Sequence, residues 1–240
     1  MPRRIPKNLV PLPGLHRTPM QPSEPGAPFG SELELWDEGM IVIGIDEAGR
    51  GPLAGPVVAA AVCFDSSVRI EGVGDSKVLS RRRREELDTL IREKALAYAI
   101  EESTHLRIDE INILEATREA MARAAKRVRE LMGSAHPVLL VDGRIPGLGI
   151  GRQINLVKGD SLSFSIGAAS ILAKVHRDRL MVDFDSLWPL YGFARHKGYP
   201  TVEHRHALME HGFCPIHRGT FTIEVRGQRM PIGDLKGTPR

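Results

Sequence analysis

Two adjacent carboxylates, Asp46-Glu47, follow directly on the β-branched apolar run Ile41–Ile45. Neighbouring acids repel each other and need a counter-charge, which a divalent cation supplies because hard cations take carboxylate oxygens. The plainer reading is that one or both face water at the start of a loop. Two more acids stand at similar places: Asp142 closes the run Val138–Val141, and Asp160 precedes a long helical pattern. Each has an ordinary account, since Asp142-Gly143 is a favoured turn pair and Asp160 suits a helix N-cap. Those accounts leave open that all these acids could converge at one end of a sheet. An oxygen-only cluster suits magnesium or manganese rather than zinc. Two such ions roughly 3.5–4 Å apart can stabilise the attacking and the leaving oxygen in phosphodiester cleavage.

The glycines of Gly49-Arg50-Gly51-Pro52-Leu53-Ala54 imitate a dinucleotide fingerprint. That motif opens a helix, whereas Pro52 and Pro56 here lead into Val57-Val58 and a second strand. The glycines offer a backbone that a ligand can approach closely, with the Arg50 fork between them; a plain tight turn is the alternative. His196, His204, His206, His211 and His217, with Cys214, are dense near the C-terminus. Their spacing does not fit the usual zinc pairs, and the economical reading is an exposed helix face plus a polar loop, some of it near substrate. Arg81-Arg82-Arg83-Arg84 opens a helix, where cations oppose the macrodipole. It reads either as a solvated face pairing with Glu85 and Glu86 or as a contact for backbone phosphates. No nucleophile elbow, phosphate-binding Walker loop or kinase signature is present.

The elements that must position these residues follow from periodicity. Ile41–Ile45, Pro56–Phe64 and Val138–Val141 read as buried strands. Helices are expected from an N-cap at Ser80 to about Ala99, from about Ile108 to Met132 with Gly133 as terminator, from Ser161 onward with Leu162, Ile166, Ala169 and Leu172 at helical spacing, and over Val202–His211. Strands mixed with helices indicate an α/β layer architecture. The chain has 240 residues, 42% hydrophobic and 26% charged, which excludes collagen-like, coiled-coil and wholly disordered classes. The longest apolar stretch, Val57–Phe64, is far short of a membrane span, and no secretory signal is seen. Cys63 and Cys214 form no spaced pair, as expected of a cytoplasmic protein. Basicity lies in the ends: residues 1–30 carry net +3 and residues 222–240 net +2, while residues 31–221 carry net −2. Global charge therefore makes no case for nucleic acid. The first thirty residues hold eight of the 17 prolines and read as a disordered arm, with one domain over 31–221 and a flexible tail over 222–240.

Several segments together resemble bacterial ribonuclease HII. They are Gly44–Val57, Asp75-Ser76-Lys77, Val141-Asp142-Gly143, Lys158-Gly159-Asp160, Ala168–Val175, His196-Lys197-Gly198-Tyr199 and Cys214-Pro215-Ile216-His217-Arg218. The resemblance implies a ribonuclease H-like mixed sheet flanked by helices, with a helical C-terminal extension. It also implies a monomeric endonuclease that cuts RNA in RNA–DNA hybrids and at ribonucleotides embedded in duplex DNA, with two Mn2+ or Mg2+ ions, leaving 5′-phosphate and 3′-hydroxyl ends. By the same resemblance Asp46, Glu47, Asp142 and Asp160 form the metal-binding set. Gly49, Arg50 and Gly51 would meet the ribose 2′-hydroxyl at the RNA–DNA junction, Tyr199 would stack on the following sugar, and Lys77 and Lys174 would lie near phosphates. The chain departs from the family pattern at Gly167, where alanine is usual, at Gly219-Thr220, and at Pro200, which puts the Tyr199 loop in question. Another two-metal nuclease of this fold, such as a resolvase or integrase, fits less well because of the glycine–arginine loop and the Tyr199 segment. A non-catalytic hybrid-binding module would not need all four acids.

Overall fold

A strand covered on both faces needs to be free of charged side chains, a demand that residues 42–45 and 57–63 meet. β1 (Val42–Ala48) and β2 (Val57–Cys63) are buried almost throughout and pair antiparallel, with Ile45 opposite Ala61. The computed structural model describes residues 30–74, 79–134, 136–225 and 227–235. The arm expected over 1–30 thus lies outside the described residues up to position 29, as does Lys77. β1 is longer than the apolar run that announced it, so Asp46 and Glu47 are on the strand rather than after it.

β4 (Val138–Asp142) runs parallel to β1, and β5 (Arg152–Leu156) runs parallel to β4. β3 (Ala97–Ser103) adds antiparallel to β2, giving the mixed sheet β3-β2-β1-β4-β5. Helices cover both faces. α5 (Phe164–Leu187) packs with Val42, Val58, Val62 and Leu140 on one side. α4 (Ile113–Met132) packs with Ile43, Ile45, Leu139 and Val141 on the other. Alternation along β1 and β4 assigns these residues to opposite faces. α1 (Gly30–Asp37) precedes the sheet, and α2 (Arg81–Lys94) is capped by Ser80, whose hydroxyl accepts the Arg83 N–H. After α5 come α6 (Phe193–His196) and α7 (Val202–His211), which share a third core with Leu53, Met181, Tyr191, Phe193 and Ile216.

Four expectations need correction. The helix from Ser80 stops at Lys94, and Ala97–Ser103 is strand β3 instead. The helix expected from about Ile108 is two helices, α3 (His105–Ile111) and α4, divided at Asn112. Asn112 has φ 73° and its side-chain oxygen accepts the Leu114 and Glu115 N–H groups, capping α4. α5 begins at Phe164, so Leu162 lies outside it and is partly exposed. The tail expected from 222 holds a hairpin, β6 (Thr222–Val225) with β7 (Gln228–Pro231), because Ile223 and Ile232 bury themselves in the third core.

One buried acid ties the start of the described chain to α5. Glu32 is fully buried, and its carboxylate oxygens accept the Ser165 N–H at 3.1 and 3.2 Å. Burial pushes its pKa up to about 7 against those hydrogen bonds. A raised folded-state pKa means stability present below the unfolded value, near 4.5, and lost as pH rises through about 7. Glu32→Gln keeps an acceptor for Ser165 and removes the titration. Its melting temperature is expected to exceed the wild type's at pH 8 by an amount that shrinks toward pH 5, the stability difference behind it spanning up to about 3 kcal/mol. Melting curves at both pH values check this, and a constant gap would refute it.

Candidate active site

Strand register brings the acids together. β1 and β4 run parallel with Ile45 beside Val141, so the next residues, Asp46 within β1 and Asp142 at the end of β4, stand side by side. Both follow the alternation of Val42 and Leu140 and so lie on the α5 side of the sheet. Asp46, Glu47 and Asp142 line one pocket of about 220 Å³ with Ala48, Gly49, Arg50, Gly51, Ser170, Lys174 and Tyr199. α5 comes this near because β1 has glycine at 44: a Cβ there would overlap the Ser165 backbone. The close approach carries Ser170 to Asp46, which accepts a hydrogen bond from its hydroxyl.

Burial pushes the Asp46 carboxyl well above the usual carboxylate range, and the charges of Glu47 and Asp142 push the same way. The Ser170 hydroxyl and the Glu47 N–H, 2.7 Å from Asp46 Oδ1, oppose the shift. Glu47 also pairs with Arg50 Nη1 at 3.4 Å. A desolvated carboxylate crowded by two neighbouring acids is a donor that a hard divalent cation relieves. Among the described residues no three His, Cys, Asp or Glu side chains are already arranged as a coordination site; the fit to a cation rests on donor chemistry.

Asp160 is placed differently. It is buried in the 3₁₀ turn Gly159–Ser161 and does not line the pocket. That turn is joined to the site because the Gly159 N–H donates to Asp142 Oδ1 at 2.6 Å. Asp160 is not the cap of α5: Ser163 is, its hydroxyl accepting the Ile166 N–H at 3.2 Å. Gly167, the departure from alanine, lies over this turn, where a Cβ would come within 2.9 Å of the Asp160 carbonyl oxygen.

Lys174 is in the pocket and donates to Asp178 at 2.7 Å. Gly49 has φ 101°, and a Cβ on it would overlap the Arg177 side chain, so the loop requires glycine there. Tyr199 is 41% exposed, and its ring edge is 3.7 Å from where a Gly51 Cβ would lie. Pro200 suits this loop. The Thr201 N–H reaches the Tyr199 carbonyl at 2.8 Å across Pro200, a three-residue turn whose central φ proline fixes in advance. Thr220, in the second departure, donates its hydroxyl to Asp109 Oδ1 at 2.5 Å. Three of the four arginines of α2 pair as the solvated reading has it, Arg81 with Glu85 and both Arg82 and Arg83 with Glu86, while Arg84 donates to the Leu79 carbonyl.

The histidines are a correction. His196, His204 and His217 are buried with Cys214 among Tyr191 and Phe193, not spread on an exposed face; of the five histidines only His206 is exposed, on α7. Their hydrogen bonds admit one tautomer chain. The Cys214 N–H donates to His217 Nδ1 at 2.9 Å, His217 Nε2–H donates to His204 Nε2 at 3.0 Å, and His204 Nδ1–H donates to the Tyr199 carbonyl at 3.0 Å. The chain therefore holds the Tyr199 turn from below.

Sequence reading missed Ser170, Arg177 and Arg218. Ser170 left a signal as the lone hydroxyl in the apolar run Ala168–Ala173, four residues before Lys174. Arg177, buried, donates to the carbonyls of Pro56, Ala54 and Lys197 at 3.0–3.1 Å, joining the glycine loop's exit to the Tyr199 turn.

Comparison with known proteins agrees across sequence and structure. The profile of the family described as Ribonuclease HII matches residues 43–224. The chain is 53% identical over 201 residues to a Ribonuclease HII of Albidiferax ferrireducens, covering 82% of this chain and 94% of that one. It is 52% identical over 196 residues to one from Clostridioides difficile, covering 81% and 75%. Among solved structures it is similar to the ribonuclease H2 of Pyrococcus horikoshii, with TM-score 0.65 and 30% identity over 76% of this chain and 94% of that one.

Proposed function

The chain belongs to the ribonuclease HII family, and we propose that the carboxylate pocket is where it cuts nucleic acid. The enzyme is an endonuclease that hydrolyses the RNA strand of RNA–DNA hybrids and uses divalent metal ions. The observation that carries the site is the meeting of Asp46, Glu47 and Asp142 in one pocket with the glycine–arginine loop and Tyr199.

Asp46, Glu47 and Asp142 would hold two Mg2+ or Mn2+ ions, with Asp160 completing the set from the adjoining turn. Such ions, when bound, lower the pKa of an attacking water and offset charge on the scissile phosphate. The chain's own groups do the rest. Ser170 fixes the Asp46 carboxylate by hydrogen bond. Lys174, at the pocket edge, offers a cation to a phosphate next to the cut, and Asp178 keeps its ammonium in place. Gly49, Arg50 and Gly51 let the ribose approach closely enough for its 2′-hydroxyl, the group that separates RNA from DNA, to meet backbone. Tyr199, half-exposed across from Gly51, gives an aromatic face to the sugar beyond. Both cysteines are free and buried, in keeping with a cytoplasmic enzyme.

The test is incubation with Mg2+ or Mn2+ of three duplexes: an RNA–DNA hybrid, a DNA duplex with one ribonucleotide, and plain DNA. The first two should be cut to 5′-phosphate and 3′-hydroxyl ends and the third left whole. Cutting of plain DNA would overturn the reading. In the same assay Tyr199→Ala should lower kcat/KM at the single ribonucleotide about ten- to a hundredfold, since aromatic stacking is worth roughly 1–3 kcal/mol. A continuous hybrid, which can engage in other registers, should lose less.

A further inference from the structure

We infer that Arg218 is a positioning residue for reading the RNA–DNA junction: gripping the glycine–arginine loop from behind by its carbonyl oxygens, it turns the loop's N–H groups toward the nucleic acid. The inference rests on the function proposed above and adds a residue outside the pocket. Arg218 is fully buried and does not line the site. Its Nη2 donates to the Gly49 carbonyl at 2.6 Å, Nη1 to the Arg50 carbonyl at 3.0 Å, and Nε to the Gly55 carbonyl at 3.0 Å.

The direction of the N–H groups follows from peptide geometry. In a planar trans peptide the C=O of one residue and the N–H of the next point oppositely, and no cis bond occurs among the described residues. With the Gly49 and Arg50 carbonyls turned to Arg218, the Arg50 and Gly51 N–H groups point away from it. Arg218 lies in the interior and residues 49–51 line the pocket, so away from Arg218 is toward the substrate. Two consecutive donors facing one way suit an oxygen ligand such as a ribose hydroxyl or a phosphate.

The grip needs a forked cation on a fixed base. A guanidinium presents five N–H donors in a rigid plane, whereas an ammonium is a single point of charge. The base is fixed because the Arg218 N–H donates to the Leu53 carbonyl and the Gly55 N–H to the Ile216 carbonyl, both at 2.9 Å. The Phe221 ring lies 4.9 Å from the guanidinium carbon, and Asp109 anchors the following turn through the Gly219 and Thr220 N–H groups.

Arg218→Lys keeps the charge and loses the fork. The expected result is a ten- to hundredfold fall in kcat/KM on the duplex with one ribonucleotide, a smaller fall on a continuous hybrid, and Mn2+ affinity without nucleic acid, by calorimetry, unchanged. Displacements of about 1 Å remote from the reacting atoms have effects of this size. Equal losses on both substrates, activity within twofold of wild type, or a parallel loss of Mn2+ affinity would overturn the inference. A second measurement needs no variant: proton exchange at the Arg218 Nε–H of the wild-type protein should be far slower than at Arg82, whose side chain is 91% exposed. Equally fast exchange would overturn the grip whether or not the lysine variant folds. If the wild-type enzyme leaves the ribonucleotide duplex whole, the proposed function fails, and the exchange result still reports on the grip.

Discussion

Replacing Asp46 with asparagine should abolish cleavage and, in metal-free buffer at pH 8, raise the melting temperature. Activity depends on a charged oxygen donor at the centre of the acid set, and asparagine supplies the shape without the charge. A loss of about a thousandfold or more in kcat is expected, about 4 kcal/mol of transition-state stabilisation. Stability should move the other way because Asp46 is buried against the charges of Glu47 and Asp142. The neutral amide ends that repulsion and still accepts the Glu47 N–H, now 2.7 Å from Oδ1. Each kcal/mol gained should raise the melting temperature by about 2–4 °C in a protein of this size. Turnover assays at saturating Mg2+ and melting curves in chelator check the two halves. Near-normal turnover would remove Asp46 from the acid set, and a lower melting temperature would show that the amide does not fit the site.

The buried histidines should make the enzyme sensitive to acid. Burial pushes His204 down to about 4 and His217 to about 3. With folded values below the unfolded 6.5, their contribution to stability is present above pH 6.5 and lost as pH falls below it. Between pH 7 and pH 5 the loss is roughly 2 kcal/mol for each. The hydrogen-bond chain gives the same sign, since a proton added at His204 Nε2 would face the His217 Nε2–H, and one added at His217 Nδ1 would face the Cys214 N–H. Glu32 titrates in the opposite sense over this window and masks part of the effect. The decisive sample is therefore Glu32→Gln, whose urea midpoint should fall steeply from pH 7 to pH 5. A flat profile in that variant would refute the assignment of neutral, buried histidines.

The central acids were legible because Asp46-Glu47 and Asp142 each end an apolar run, which puts a charge at the lip of a buried sheet. The helix over Val202–His211 was legible to the residue because Thr201 caps it and Gly212 ends it. β3 was not, because Ala97-Tyr98-Ala99 carries no Gly or Pro and alanine favours helix; pairing with β2 decides its conformation. β5 was hidden because an exposed edge with the sequence Arg-Gln-Ile-Asn-Leu has little apolar alternation. The histidines misled because polarity alone cannot reveal that Tyr191 and Phe193 will cover them. Arg177 and Arg218 grip carbonyls more than 120 residues away, beyond the reach of any local pattern.

The bond from Glu32 to Ser165 spans 133 residues, and that span orders events during synthesis. At the roughly 5–20 residues per second of translation, α1 emerges roughly 7–27 seconds before its partner exists. Glu32 is a hydrated carboxylate for that interval, and β1 has only β2, itself joined next by β3, to pair with until β4 follows. Asp46 emerges early, Ser170 much later, and the arginine that grips the glycine loop near the very end. A ribosome stalled before residue 218 would therefore display the sheet with its acids in place and the glycine loop not yet gripped from behind.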